Sequence, residues 1–122
     1  MSQRTSRVDE LLREEITRIL SREVQDPRLG FVTVTAVEVS PDLRNARVYV
    51  SFLGGEAAFE PRVRILNDAA AFVRHELAAR HLDLRVLPDL HFAADHSLER
   101  AQRIQELLRE SAAPAPPEDD SE

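Results

Sequence analysis

The sequence predicts an α+β domain: a small three-stranded sheet covered on one face by helices, in the order helix, strand, strand, helix, strand, helix. Three observations predict it. Residues 26–52, DPRLGFVTVTAVEVSPDLRNARVYVSF, read as a turn, a strand, a second turn and a second strand. The stretches on either side repeat apolar side chains at helical spacing. A shorter run over residues 84–94 returns to strand parity before a last helical stretch.

The first helix is expected from about Arg7 to Val24, with Ser6 as its N-cap. Val8, Leu11, Leu12, Ile16, Ile19 and Leu20 fall on one stripe. Arg7, Arg18 and Arg22 project together on one flank of it, with Arg4 above them; Arg13 lies on the opposite flank among Glu10, Glu14 and Thr17. That basic edge admits two readings: a solvated edge whose stems lie over the core, or a phosphate-facing edge.

Asp26-Pro27 stops the helix, because proline lacks the N–H and disfavours helical geometry in the residue before it. Gly30 permits a left-handed backbone angle. Phe31 to Val39 is rich in β-branched and apolar residues, and Ser40-Pro41-Asp42 is turn chemistry. Ala46, Val48, Val50 and Phe52 then alternate with Arg47, Tyr49 and Ser51, the period of a half-buried strand. Tyr49 either makes a cross-strand pair on the open sheet face or lies near a nucleobase.

A loop with Gly54-Gly55 leads to a helix expected over Pro61–Arg80, proline suiting the first turn. Val63, Leu66, Ala70, Val73 and Leu77 form one stripe, which Ile65, Phe72 and Ala79 widen. Either this helix contacts two neighbours, or it bends so that its halves present different faces. The third strand is expected over Leu84–Ala94, with Pro88 marking an edge strand or a bulge. Asp95-His96-Ser97 caps a final helix over Leu98–Glu110, whose apolar face carries Leu98, Ala101, Ile104 and Leu108. One domain, residues 1–110, is therefore expected to precede a disordered acidic Pro/Ala tail, 111–122.

The chain has 122 residues, no cysteine and a formal net charge of −6. Nothing points to a disulfide framework, a thiol nucleophile or a zinc ribbon. The N-terminal segment has no apolar core of a secretory signal and no run is long enough to span a membrane, so a cytoplasmic protein is expected. The tail holds four acids and no base, so residues 1–110 are nearly neutral. A near-neutral domain can still carry a basic face, and local distribution decides nucleic-acid binding. The tail is either a solubility segment or a brake that occupies the basic face. All 16 bases are arginine, which a GC-rich coding bias explains and which also suits phosphate recognition.

His75, His81, His91 and His96 include no pair at metal-binding helical spacing, and no metal site is expected. Carboxylates mostly sit on helix surfaces at salt-bridge spacing from arginine, such as Glu14–Arg18 and Glu76–Arg80. No nucleophile elbow or phosphate-binding glycine loop is present. A nucleophile, a tuned acid or base and an orienting group cannot be assembled, so the chain does not read as an enzyme. RNA binding fits better. Arg62, Arg64 and Arg74, with Arg80 and Arg85, bracket the second helix and third strand. With few aromatics, such a protein would rely on shape and phosphate contacts.

Three segments carry a resemblance: LLREEITRILSREVQDPRLG (11–30), VTVTAVEVSPDLRNARVYVSF (32–52) and LRVLPDLHFAADHSLERAQRI (84–104). DPRLG, then S-x-DL-x-x-A-x-VYVSF, then P-x-L-x-F-x-x-D-x-S resembles the ribosome-binding factor A family of bacterial small-subunit assembly factors, over about Arg4 to Leu108. The resemblance implies a KH-like domain of the second type, with a long helix broken in its middle. It implies a late maturation role on the free 30S subunit, supporting 16S rRNA processing, with contact near that RNA's 5′-terminal helix. It implies no catalytic residue and no cofactor. Where KH domains clamp the backbone with a GXXG loop, this family has an Ala-x-Gly break, which falls on Ala69-Ala70-Ala71. Ala71 stands where glycine is expected, and alanine favours helix over glycine by about 1 kcal/mol. Asn67, Arg74 and the alanine break are then candidate RNA contacts. A monomer is expected, with assembly GTPases as further partners; the remaining reading is a protein-interaction adaptor, docking on a ribosomal protein or an assembly GTPase with little direct RNA contact.

Overall fold

A computed structural model describes residues 3–24, 26–53, 59–80, 82, 84 and 86–112. The elements are α1 (Gln3–Arg22), β1 (Val32–Val39), β2 (Asn45–Phe52), α2 (Phe59–Asp68), α3 (Ala70–Ala79), β3 (Asp89–Ala94) and α4 (Ser97–Ala112). The sheet order is β1-β2-β3, with β1 antiparallel and β3 parallel to β2. The expected α+β arrangement is therefore present, with α1, α2 and α3 on one face of the sheet.

The core lies between these layers. Val34, Val37 and Val39 of β1, Ala46, Val48, Val50 and Phe52 of β2, and Leu90 and Phe92 of β3 are buried. Leu12, Ile16 and Ile19 of α1, Leu66 of α2, and Val73 and Leu77 of α3 pack against them. The other sheet face carries Thr33, Thr35, Glu38, Arg47, Tyr49 and His91. A bulge in β1 keeps the alternation in phase: the register shifts between Val34 and Ala36, leaving Thr35 without a strand partner.

The β1–β2 turn is held by its own polar groups. Ser40 N–H donates to Asn45 O at 2.8 Å, Asn45 N–H to Ser40 Oγ at 3.1 Å, and Arg44 N–H to Asp42 Oδ1 at 3.0 Å. Leu43 takes φ 63° here, a left-handed conformation that costs a branched residue about 1–2 kcal/mol. Its side chain packs against the core, which offsets that strain.

Several boundaries differ from expectation. α1 starts at Gln3, and Ser6 lies inside it rather than capping it, since no Pro or Gly among residues 3–6 interrupts the helix. It ends at Arg22 because Glu23 and Val24 both donate to Ile19 O, at 2.8 and 3.3 Å, just before Asp26-Pro27. α2 begins at Phe59, so Pro61 is its third residue; both positions lack an intrahelical acceptor for the N–H. The long helix is broken at Ala69, yet Leu66 on α2 and Val73 and Leu77 on α3 stay buried on the one expected stripe, and the helix contacts two neighbours, the sheet and α1, the first of the two readings above. β3 is short: it begins at Asp89, directly after Pro88, and Leu84 and Val86 lie outside it. A proline cannot donate to the ladder, and Asp89 N–H makes the first bond, to Arg44 O at 2.8 Å. As Pro88 suggested, β3 is an edge strand.

α4 departs most. Asp95 Oδ1 accepts from Ser97 N–H at 2.9 Å, as a cap should. The helix extends through Ala112, so Ser111 and Ala112 are helical. Among the described residues its apolar side chains are left uncovered: Leu98, Ile104, Leu107 and Leu108 are each more than half exposed. The helical layer is therefore α1, α2 and α3 alone. Gly54-Gly55, His81, Arg85 and residues 113–122, like the side chain of Arg4, lie outside the described residues.

Candidate nucleic-acid interface

The candidate arginines fall into three sets, all on or beside the helical layer. The first is the exposed edge of α1, carrying Arg7, Arg18 and Arg22. Arg18 Nη1 donates to Glu15, and Glu15 Oε1 also lies 3.6 Å from Nε of Arg80, the C-cap of α3. The Glu15 carboxylate thus ties the edge of α1 to the end of α3 and brings Arg18 and Arg80 together. The expected pairs Glu14–Arg18 and Glu76–Arg80 do not form: Arg18 pairs with Glu15 one turn back on α1, and Arg80 reaches the same carboxylate because α3 packs beside α1. On the opposite flank Arg13 pairs with Glu10, in line with the helical projection.

The second set surrounds the start of α2. Arg62 Nη1 donates to Leu53 O at 2.8 Å, and its guanidinium lies 5.4 Å over the Phe52 ring. Arg64, two residues on, is exposed and makes no hydrogen bond or ion pair among the described residues. Arg28 reaches the same place from the α1–β1 turn. With Arg62 and Arg64 it lines an open cavity of about 440 Å3. Reading Asp26-Pro27 only as a helix stop overlooked Arg28. Its Nε donates to Asp26 Oδ1 at 3.0 Å, its Nη2 to Asp26 Oδ2 at 2.6 Å, and its backbone N–H to Asp26 Oδ1 at 2.9 Å.

These bonds hold the Asp26 carboxyl well below the usual carboxylate range, at about 2. The side-chain bond from Arg28 contributes most, then the backbone bond. A carboxyl whose folded pKa is depressed stabilises the fold above its unfolded pKa, and that stability is lost as pH falls through the folded value. The urea midpoint should therefore drop between about pH 4 and pH 2. Asp26→Asn should flatten part of that drop, and an unaltered profile would contradict the assignment.

The third set is Arg74 alone. Its Nη2 donates to Leu87 O at 2.9 Å, and its Nε lies 3.5 Å from Asp89 Oδ1. It secures the approach to β3.

Asn67 likewise holds the fold. Its Nδ2 donates to Phe92 O at 3.0 Å and its Oδ1 accepts from Phe92 N–H at 2.8 Å, so one amide satisfies the free edge of β3. Asp9 serves the other edge, accepting from Val39 N–H at 3.0 Å. Asn67→Ala should cost about 1–3 kcal/mol in urea denaturation, because it strands two backbone groups of an edge strand. A stability change within about 0.5 kcal/mol would contradict this role.

The helix break sits on Ala69, at φ −92° and ψ 1°, with its N–H donating to Ile65 O and Leu66 O. Ala70 and Ala71 are already helical, and Ala70 packs against the core. Leu43 is the non-glycine residue with positive φ among those described, so the break needs no left-handed residue at Ala71. On the open sheet face, Tyr49 sits between Ala36 and Ala93, and its hydroxyl donates to Glu38 Oε1 at 3.3 Å. Among the described residues no group of three His, Asp or Glu could hold a metal ion, and no helix is long and apolar enough to cross a membrane.

A family model described as ribosome-binding factor A matches residues 4–108. The chain belongs to the ribosome-binding factor A family. A relative of that name from Thermomicrobium roseum is 50% identical over 109 residues, covering 89% of this chain and 84% of its own. One from Nitrosococcus oceani is 47% identical, covering 86% and 82%. The crystal structure of ribosome-binding factor A from Thermus thermophilus is similar at a TM-score of 0.65 and 30% identity, over 74% of this chain and 94% of that one. A homology model of the Thermus thermophilus protein, fitted into the cryo-EM map of its complex with the 30S subunit, is similar at a TM-score of 0.60 and 31% identity, over 72% and 91%. The fold is thus the family's fold, and the match covers the domain from α1 to most of α4.

Proposed function

We propose that this chain is a non-enzymatic factor that binds the free 30S subunit and 16S rRNA, supporting late small-subunit assembly and 16S rRNA processing. One observation carries the reading: the family match runs through the whole folded domain, and a relative of that family is fitted into the map of a 30S complex. The docking surface is the exposed side of the helical layer, where Arg7, Arg18 and Arg22 line one edge and Arg64 lies exposed on α2. The contact falls in the 5′-terminal helix region of the rRNA, and the protein acts as a cytoplasmic monomer without a cofactor. Arg62, Arg74 and Asn67 serve this surface by fixing its scaffold; Arg80 joins α3 to it through Glu15.

Co-sedimentation of the purified protein with separated ribosomal particles tests this. It should pellet with free 30S subunits and remain in solution with 50S subunits. Failure to pellet with 30S, or equal pelleting with both, would contradict the reading.

The exposed apolar side chains of α4 favour a second reading, docking on a ribosomal protein or an assembly GTPase with little RNA contact. Salt separates the two, because phosphate contacts give a steep log–log dependence and an apolar protein interface a shallow one.

A further inference from the structure

We propose that the cavity lined by Arg28, Arg62 and Arg64 is a subsite that seats one backbone phosphate of a single-stranded RNA segment. The inference rests on the RNA-binding reading and adds a place for the contact, together with Arg28, which that reading does not use.

Three arginines line the cavity from two elements that are remote in sequence, the α1–β1 turn and the first turns of α2. The remaining lining is Pro61, Ile65 and a single carboxylate, Asp68, so the cavity stays cationic. The other nearby acid, Asp26, is already engaged by Arg28 through both carboxylate oxygens. Two of the three arginines are fixed before any ligand arrives. Asp26 grips Arg28 through Nε and Nη2, and no hydrogen bond of its Nη1 is present among the described residues. Leu53 O and the Phe52 ring fix Arg62. Ordering long side chains is a main cost of binding, and here it is largely met by the fold. Arg64 is the third donor, exposed and without a hydrogen bond or ion pair among the described residues.

Guanidinium is the group that matches phosphate oxygens with paired N–H donors. At about 440 Å3 the cavity is roomier than a lone anion needs and falls within the range of small-ligand sites. It is open rather than enclosed, so a chain can enter and leave it on either side. A phosphodiester within a strand fits both features better than a free anion does.

The test uses the full chain and octauridylate. Arginine Nε–Hε resonances are followed by NMR as the oligonucleotide is added. Those of Arg28, Arg62 and Arg64 should shift saturably, and that of Arg13, paired with Glu10 on the far flank of α1, should not. Arg28→Gln with Arg64→Gln should make the log–log salt dependence of binding shallower by about 0.7, the share of one phosphate, and Arg64→Gln alone by part of that. Arg64 makes no hydrogen bond or ion pair among the described residues, so its variant remains informative if the double variant fails to fold. Saturable binding that leaves the three resonances unmoved, or that keeps its slope in Arg64→Gln, overturns the proposal. So does an absence of saturable binding. Inorganic phosphate that shifts the same resonances at the same concentrations would show a free-anion site and also overturns it. Wild-type protein that still pellets with 30S subunits in any of these cases would leave the functional reading standing while this subsite falls.

Discussion

Arg7, Arg18 and Arg22 changed together to glutamate should release the protein from 30S subunits in a sedimentation assay at near-physiological salt. All three are exposed on one edge of α1, so the substitutions leave the buried stripe of Leu12, Ile16 and Ile19 untouched. Each change replaces a cation with an anion on the surface proposed to face the rRNA. Glu15 lies among them and already divides itself between Arg18 and Arg80. In the variant Glu15 keeps Arg80 but gains a like charge three residues away. If all three arginines meet phosphates, the salt dependence of any residual binding becomes shallower by about 2–3 in log–log slope. A thermal melt close to wild type would confirm that the fold survives. Unchanged sedimentation would remove this edge from the interface.

Ile16→Ala should produce the largest loss of stability. Ile16 is fully buried where α1 meets the sheet and α3. Deleting its outer carbons removes transfer free energy and leaves a cavity, together about 2–5 kcal/mol. A domain of this size has about 5–15 kcal/mol in all, so the urea midpoint should fall sharply. A loss of about 0.5 kcal/mol, the range of surface substitutions, would mean that α1 does not anchor the helical layer. The basic edge itself is untouched, so 30S binding should fall only with the folded fraction. That separates this variant from the charge reversal, which should lose binding while staying folded.

Periodicity made most of the fold legible. The alternation from Ala46 to Phe52 placed every inward residue of β2 correctly, because a strand has only two faces. Pro88 marked an edge strand, because a missing N–H is a local fact. What covers an apolar stripe is not local. Leu98, Ile104 and Leu108 have the spacing of a buried face, yet α4 leaves the domain with them exposed. Helical spacing can show that a face is apolar, but not that a partner within the chain exists.

The candidate site was legible in part for the same reason. The grouping of Arg7, Arg18 and Arg22 follows from the turn of one helix and needs no tertiary knowledge. Asn67 looked like an RNA contact, but its amide is taken by Phe92, 25 residues along the chain. Arg62 and Arg74 are bound to the carbonyls of Leu53 and Leu87, partners that sequence spacing does not reveal. Arg28 was overlooked because turn chemistry explained DPRLG completely, and its cavity forms only when α2 folds beside that turn.

A salt series on the wild-type chain measures whether the arginines of the helical layer recognise phosphate. Affinity for free 30S subunits, measured from about 50 to 200 mM monovalent salt, should fall linearly on a log–log plot with a slope of about −2 or steeper. A flat plot at comparable affinity would contradict it, and would place the contact on an apolar surface such as the exposed face of α4.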